Sequence, residues 1–292
     1  MKPNLIFFGS PLFSATILES IVKNDCINVV GVVTTPDKPT GRKLTLTPSP
    51  VATLASTHDL PVYKPTKLDD ANLAHLKILK PDIFLIVSFG KIIPKNWLET
   101  PRIGTFNIHF SLLPKYRGAL CISEAIKNQD KETGVTLMEM DELLDHGPII
   151  SQSKVNIETD DNVATLTTKL TQAAIMLLDD KIPEICAQNY HKKDQDENLA
   201  TFTPSHKTIS HQSAFISFEK IINATEGINA SPMHALVRSL NPEPGAWTKI
   251  QGKDVKIIKT SLTENKLIID TVQLPGKSPI AWKQFIQGHP II

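Results

Sequence analysis

Three polar side chains have the types and the spacing needed to transfer an acyl-type group to an amine. Asn107 and His109 are two residues apart in an apolar run, so on a strand both side chains project from the same face. An amine that attacks an acyl carbon creates an oxyanion, which preorganised donors such as the Asn107 amide and a protonated His109 would stabilise. Asp145, 36 residues after His109, is a carboxylate that would help to move protons.

The elements that must position these residues alternate between apolar runs and amphipathic patterns. We predict strands over residues 5–8, 28–34, 83–88, 105–109 and 134–140 and helices over residues 12–23 and 164–178. Strands separated by intervals of helix length favour parallel pairing and right-handed crossovers, hence an α/β fold with a doubly wound parallel sheet. Ligands bind beyond the carboxyl ends of such strands, which is where the 105–109 strand ends and where the loop at 140–148 begins.

The last third of the chain has a different pattern of polar and apolar residues. Residues 190–206 are polar and contain a proline, which indicates a linker or an extended connection. Short apolar runs follow at 215–218, 246–250, 255–259 and 267–272, with one helical stretch at 233–240. Short strands divided by Gly and Pro predict a small β-barrel. We therefore expect one domain over residues 1–188, a linker over 189–209 and a second domain over 210–292.

Composition and cysteine spacing exclude several classes of protein. The 292 residues are 41% hydrophobic and 21% charged, which is ordinary for a globular protein. The longest aliphatic run, residues 83–87, is too short to cross a bilayer, and the apolar start is too brief for a signal peptide. Cys26, Cys121 and Cys186 are far apart and form no CxxC motif, so we expect a reducing cytoplasm and no metal site. We also expect a monomer that does not bind membranes.

Charge is unevenly distributed along the chain. From Lys207 onward the net charge is +4, whereas the first 206 residues carry −3. A modestly basic C-terminal part is compatible with an RNA partner. Lys253 lies in the turn of a predicted hairpin, with Lys249, Lys256 and Lys259 around it. Because alternate residues of a strand face opposite ways, we expect only some of these lysines to share a face.

The order of the motifs in the N-terminal part resembles the folate-dependent formyltransferase family. An Asn-x-His is followed by SLLPxxRG within residues 107–118, and Asp145 lies in an LDxG turn at residues 144–147. The resemblance implies formyl transfer from 10-formyltetrahydrofolate without a metal, with Asn107, His109 and Asp145 in the catalytic positions. It also implies two folate-binding segments, formed by Ser88, Phe89 and Gly90 and by Ser111, Leu112, Leu113 and Pro114. We expect Met140, Asp141 and Leu144, in the loop after the 134–140 strand, to contact the folate as well.

Other segments resemble those members of the family that formylate methionyl initiator tRNA. They are the loop at residues 36–51, the NPEPGAW run at 241–247 and the terminal pattern at 276–289. The resemblance implies an OB-like C-terminal barrel that binds tRNA, with Arg42 and Lys43 at the acceptor end and Lys253 among the contacts. The chain departs from the family at residues 119–122, which read ALCI rather than AAPI, and at His146, where Thr is usual.

Four alternative functions make different demands on the sequence. An amino-sugar (sugar-nucleotide) N-formyltransferase would share the N-terminal chemistry and act on a different acceptor. A glycinamide ribonucleotide formyltransferase would not need the residues beyond Lys207. A non-catalytic nucleotide- or tRNA-binding module would not need the three catalytic positions. A dinucleotide-binding dehydrogenase is excluded because residues 8–13, FGSPLF, are not a GxGxxG motif.

Overall fold

The structure is a computed structural model that describes residues 2–41 and 44–290. Its strands are β1 (Asn4–Gly9), β2 (Asn28–Val33), β3 (Lys38–Thr40), β4 (Thr45–Thr47), β5 (Val62–Tyr63), β6 (Ile83–Val87), β7 (Gly104–His109), β8 (Glu132–Glu139), β9 (Ile149–Asn156), β10 (Trp247–Ile250), β11 (Lys253–Thr263), β12 (Lys266–Gln273) and β13 (Ile280–Ala281). Its helices are α1 (Leu12–Val22), α2 (Pro50–Thr57), α3 (Asp70–Lys77), α4 (Lys95–Leu98), α5 (Cys121–Lys127), α6 (Val163–Cys186), α7 (Phe218–Thr225), α8 (Ala230–Leu240) and α9 (Trp282–Gly288). Within the described ranges, no helix is both long and apolar enough to span a membrane.

The chain forms two compact units. The first holds the chain up to Arg117 together with Gly134–Val155 and Thr168–Phe202. The second holds Gly118–Thr133, Asn156–Thr167 and the chain from Thr203 onward. The division at residues 188 and 209 stays a prediction.

The first unit is built on a seven-stranded sheet of order β5-β2-β1-β6-β7-β8-β9. The strands from β5 to β7 pair in parallel, which confirms the predicted α/β fold. The prediction of parallel pairing is wrong for the strand at 134–140, because β8 pairs antiparallel with β7. Spacing along the chain does not encode strand direction, and an antiparallel strand beside an otherwise parallel sheet is common.

The centre of this sheet is apolar on both faces, as a covered parallel sheet requires. All five residues of β6 are buried. Phe8 on the neighbouring β1 contacts Phe84 and Phe89, with ring centroids 4.9 and 5.5 Å away. Trp97 packs into the same cluster with no exposed surface. This rigid centre supports the ends of β6 and β7, from which the predicted catalytic and folate segments begin.

The second unit contains an antiparallel sheet of order β10-β11-β12-β13, which confirms the predicted small C-terminal β domain. The strand predicted at 215–218 is wrong: Phe215 makes only an isolated bridge to Trp247, and Phe218 begins α7. Ile221 and Ala224, at helical spacing from Phe218, are buried on this helix. A short apolar run cannot by itself distinguish a strand from the start of a buried helix.

A buried histidine on α8 makes two hydrogen bonds and has a lowered pKa. The His234 Nε2 atom lies 3.0 Å from the Thr159 carbonyl oxygen, so it must donate. The Nδ1 atom then accepts from the Thr260 hydroxyl at 2.8 Å. Burial is the main cause that lowers the pKa of His234 below its ordinary value of 6.5, and the charge of Arg238 acts in the same direction.

We expect the free energy of unfolding to fall as the pH drops below about 6.5, in part through His234. The unfolded chain takes up this proton at the ordinary pKa, whereas the folded chain binds it only at lower pH, so protonation favours unfolding. His234→Gln keeps one donor and one acceptor but does not titrate. Chemical unfolding at pH 8 and 5.5 should show a smaller pH effect for His234→Gln than for the wild type or the exposed control His75→Gln. An equal pH effect in all three proteins would contradict the prediction.

Candidate active site

Strand β7 presents the two predicted catalytic side chains on one face. Asn107 and His109 are 8% and 7% exposed, and the alternate residues Phe106 and Ile108 are buried in the other direction. Their backbones are fixed on both sides, by β6 and by β8. Asn107 and His109 therefore share one face of the strand, as their spacing in the sequence predicts.

The loop after β8 brings Asp145 over this face of β7. Because β8 is antiparallel, it ends at Glu139 opposite Phe106, and the loop must fold back to reach the catalytic side chains. The Asn107 Nδ2 atom donates to Asp145 Oδ1 at 3.4 Å. Asp145 Oδ2 lies 3.6 Å from His109 Nδ1, with only 13% of the Asp145 side chain exposed. A carboxylate so removed from water is costly unless it has such partners.

The other ring nitrogen of His109 has a defined role. The Nε2 atom lies 2.9 Å from the carbonyl oxygen of Tyr116, and since a carbonyl only accepts, Nε2 carries hydrogen and donates. The Nδ1 atom consequently faces the Asp145 carboxylate, the arrangement that suits proton exchange at Nδ1. Tyr116 has a φ of 61° and Asp145 a φ of 47°, both in the left-handed region that few non-glycine residues adopt. Such conformations cluster at functional sites, where the surrounding structure enforces them.

The turn at Ser111–Pro114 is organised by one buried hydroxyl. Thr136 Oγ1 donates to the Ser111 carbonyl oxygen at 2.6 Å and accepts from the Leu113 backbone N–H at 3.1 Å. The Gln152 Nε2 atom bonds both Thr136 Oγ1 and the Leu113 carbonyl oxygen at 2.9 Å. The side chains of Ser111 and Leu113 are buried, so only their backbone groups and the partly exposed Leu112 and Pro114 are available to a ligand.

The remaining predicted folate residues follow β6 and β8. Ser88 and Gly90 are exposed with φ values of 53° and 77°, whereas Phe89 is buried in the core. Met140 packs at the edge of the same core, and its backbone N–H donates to the Thr105 carbonyl oxygen. Asp141 accepts from the Leu143 backbone N–H at 2.9 Å, and Leu144 is 60% exposed. The three segments thus offer backbone groups and exposed apolar surface rather than a ring of charged side chains.

Known proteins match this chain over most of its length. Residues 2–182 match the family described as formyl transferase, and residues 209–268 match the formyl transferase C-terminal domain. The chain belongs to the formyl transferase family. Methionyl-tRNA formyltransferase of Dictyoglomus thermophilum is 40% identical over 88% of this chain and 79% of the relative. The enzyme of the same name from Bacillus velezensis is 39% identical over 98% of this chain and 95% of the relative.

Solved structures share the fold of this formyl transferase. The crystal structure of an N-formyltransferase from Helicobacter canadensis, in complex with folinic acid and dTDP-3-aminofucose, gives a TM-score of 0.66 at 22% identity. It covers 94% of this chain and 95% of the other. At that identity the likeness concerns the fold alone.

The residues predicted to contact tRNA belong to two separate parts of the sequence of this formyl transferase. Arg42 and Lys43 lie outside the described residues. Lys253 begins β11 and is exposed, as is Lys259 further along the strand. Irregular pairing of β11 with β12 between Ile257 and Thr260 interrupts the alternation between them. Lys249 forms an ion pair with Asp254 at 2.9 Å, and Lys256 donates to the Pro242 carbonyl oxygen at 3.0 Å. The ammonium groups of these two lysines therefore already have partners within the protein.

Several residues that support the site of this formyl transferase could not be recognised from the sequence. Tyr116 and Thr136 act through a backbone carbonyl and a buried hydroxyl, which leave no motif in a single sequence. Gln195 and Glu197 lie inside the stretch predicted to be a linker, yet both bond Arg117 of the SLLPxxRG motif. Across the described ranges, no three His, Cys, Asp or Glu side chains are grouped so as to hold a metal ion.

Proposed function

We propose that this formyl transferase is a methionyl-tRNA formyltransferase. It transfers the formyl group of 10-formyltetrahydrofolate to the free amino group of methionyl initiator tRNA. The observation that carries the reaction is the convergence of Asn107, His109 and Asp145 on one face of β7. The acceptor is supported by relatives of that name, which are 39–40% identical over most of both chains.

In the proposed mechanism, the amine forms a bond to the formyl carbon and the formyl oxygen becomes an oxyanion. An amide nitrogen has two hydrogens, so Asn107 can bond Asp145 and donate to the oxyanion at the same time. A proton on His109 Nδ1 adds a second donor beside the Asp145 carboxylate. The Asp145 carboxylate takes the proton that the amine loses, and the Asp145–His109 pair returns one proton to N10 of the folate as the carbon–N10 bond breaks. The products are tetrahydrofolate and the formylated tRNA.

We further propose that the folate binds beyond the ends of β6 and β7. The pterin is flat and rich in hydrogen-bonding groups, so the backbone of Ser88–Gly90 and of Met140–Asp141 would read its edge. Leu112 and the exposed Leu144 would supply apolar contact. The buried Phe89 and Leu113 would support the pocket from within rather than contact the ligand through their side chains.

For the tRNA we propose a division of tasks between two surfaces. The loop with Arg42 and Lys43 would help deliver the aminoacyl end, whereas Lys253 and neighbouring lysines of the C-terminal domain would hold backbone phosphates. This assignment corresponds to a catalytic domain over residues 1–188, a linker over 189–209 and an OB-like tRNA-binding domain over 210–292. The enzyme would act as a monomer in the cytoplasm.

The test of the proposed function is a comparison of acceptors. The protein is incubated with labelled 10-formyltetrahydrofolate and with methionyl initiator tRNA, uncharged initiator tRNA or dTDP-amino sugars. We expect label only on the methionyl-tRNA, as formylmethionine after hydrolysis. The Asp145→Asn variant serves as the inactive control. Efficient labelling of an amino sugar instead would place the chain with the sugar N-formyltransferases.

Affinity for tRNA should fall steeply with salt, because each phosphate that a lysine neutralises releases a counterion. The double variant Lys253→Ala/Lys259→Ala should flatten the plot of log affinity against log salt concentration by about one unit for each phosphate that is no longer neutralised. The measurement is tRNA binding between about 50 and 200 mM salt. Lys67→Ala/Lys77→Ala removes two exposed lysines of the first unit and is the matched control. An unchanged slope for the C-terminal variant would locate the phosphate-binding lysines elsewhere.

A further inference from the structure

We infer that Gln195 is a positioning residue that holds the Asp145 turn over β7. Its Nε2 atom donates to the carbonyl oxygens of Asp145 at 2.9 Å and of Gly147 at 2.8 Å. One side-chain amide thus bonds the backbone on both sides of His146. Because Asp145 itself has a φ of 47°, this turn needs partners outside its own backbone.

The orientation of the Gln195 amide is fixed by a buried arginine. The Arg117 side chain, 2% exposed, donates to Gln195 Oε1 from Nε at 3.1 Å and from one terminal nitrogen at 2.8 Å. A guanidinium has no acceptor, so the oxygen of the amide must face Arg117 and its nitrogen must face the two carbonyls. The amide therefore cannot flip without losing bonds at both ends.

Glu197 holds Arg117 in place from the opposite side. Its two carboxylate oxygens accept from both terminal nitrogens of the guanidinium, at 2.5 and 3.0 Å. These hydrogen bonds are the main cause that lowers the pKa of Glu197. Such a two-point pair restricts the guanidinium plane in a way that one bond does not. Gln195 is thus connected to a buried arginine whose orientation Glu197 restricts.

His146 provides a second connection between the same turn and the same segment. Its Nδ1 atom lies 2.5 Å from Asp141 Oδ2, at the start of the loop. Its Nε2 atom lies 3.5 Å from Glu197 Oε1. The 195–197 segment thus contacts this loop at Asp145, His146 and Gly147, and His146 also joins the end of the loop to its start at Asp141. These two contacts of His146 help to orient the loop that carries Asp145.

The chemistry of position 195 restricts what can replace glutamine. Glutamate would bring carboxylate oxygens against the carbonyls of Asp145 and Gly147, and all of these atoms only accept. Methionine has a similar size and shape but neither donates nor accepts as an amide does. Asparagine keeps the amide but is one carbon shorter. Gln195→Met therefore removes the four hydrogen bonds with little change in volume.

The activity arm of the test rests on the proposed function and uses the full-length enzyme. Gln195→Met should lower kcat by about 10- to 100-fold, because a displacement of about 1 Å in a catalytic group has effects of this size. The loss should be larger in kcat than in the KM for the folate, since Gln195 itself is not assigned to the folate pocket. The control is Gln129→Met, which removes a glutamine whose side chain bonds Ser231. If Gln195→Met keeps more than half of the wild-type kcat, the inference is wrong.

A double-mutant cycle separates positioning from a general structural role. If Gln195 acts through Asp145, then Asp145→Ala/Gln195→Met should have the kcat of Asp145→Ala within about twofold. If Gln195 only stabilises the fold, the two losses should multiply, and that result would overturn the inference. If Gln195→Met markedly lowers the unfolding temperature, the same cycle is repeated with Gln195→Asn in its place.

A spectroscopic arm needs no acceptor and so remains decisive if the proposed function fails. The nitrogen resonance of His109 Nδ1 reports the nearby Asp145 carboxylate, and Asp145→Asn gives the direction of its change when that charge is removed. We expect Gln195→Met to move the resonance in the same direction and Gln129→Met to leave it unchanged. An unchanged His109 resonance in Gln195→Met would overturn the inference. Failure of the unmodified enzyme to formylate methionyl-tRNA would overturn only the proposed function.

Discussion

His109→Ala is expected to lower kcat for formyl transfer by about 10²–10⁴, the contribution of a positioned acid–base group. The His109 ring is held between the Tyr116 carbonyl and the Asp145 carboxylate, so His109→Ala removes the group that faces Asp145 on β7. Single-turnover formylation with saturating folate measures the chemical step directly. The exposed His75→Ala variant should keep wild-type kcat. Retention of more than about a tenth of the activity by His109→Ala would remove this residue from the mechanism.

Asn107→Ala and Asp145→Ala should each lose about 10²–10³ in kcat, the first because it removes an oxyanion donor and the second because it removes the carboxylate that takes part in proton transfer beside His109. The three changes together should cost little more than the most damaging single change, because the side chains act as a unit. Binding of the folate should survive in all of these variants. Weakened folate binding together with normal kcat would mean that these residues bind the donor rather than catalyse the transfer.

The central strands of the sheet in the first unit are predictable because they are buried on both faces and therefore read as largely apolar runs. Residues 83–87 form such a run, and β6 is found over the same residues. The direction of β8 is not predictable in this way, because burial of its residues is the same for a parallel and an antiparallel partner. Asp145 consequently reaches β7 through a loop that folds back, and not from a shared carboxyl edge.

The catalytic residues are predictable from motif order, whereas their supports are not. The proposed roles of Asn107, His109 and Asp145 depend on their side chains, so the residue types alone suggest them. Tyr116 contributes a carbonyl that any residue has, and Gln195 lies in a polar stretch whose composition is that of a linker. A buried network of this kind depends on exact distances between distant residues, and a single sequence does not contain those distances.

Gly147→Ala is expected to lower kcat by about 10²-fold and to destabilise the enzyme. A Cβ atom at this position would overlap the carbonyl oxygen of Glu139 and would lie 3.1 Å from the Glu139 carbonyl carbon and 3.2 Å from the Asp141 backbone nitrogen. All three are backbone atoms of β8 and the loop that follows it, so no side chain can turn aside. The φ of Gly147 is not in the left-handed region. The glycine is therefore needed for the close approach of the backbone and not for an unusual backbone conformation.

The added methyl group must push the turn away from β8, and the turn carries Asp145. Gln195 would then lose its bond to the Gly147 carbonyl, and the distance from Asp145 to His109 would increase. Misplacement of a catalytic group by about 1 Å is enough for a 10²-fold loss. Overpacking at a rigid site costs about 1–3 kcal/mol, so the free energy of unfolding should fall by that amount.

Activity and stability are measured separately to distinguish these two effects of Gly147→Ala. The kcat is determined at a temperature at which circular dichroism shows the variant to be folded, and the free energy of unfolding comes from denaturant titration. Gly288→Ala is the control, because a Cβ at Gly288 would have no heavy atom within 4 Å. It should keep wild-type kcat. A folded Gly147→Ala enzyme with wild-type kcat would show that the turn tolerates displacement, and that Asp145 does not need the position over β7 that Gly147 and Gln195 maintain.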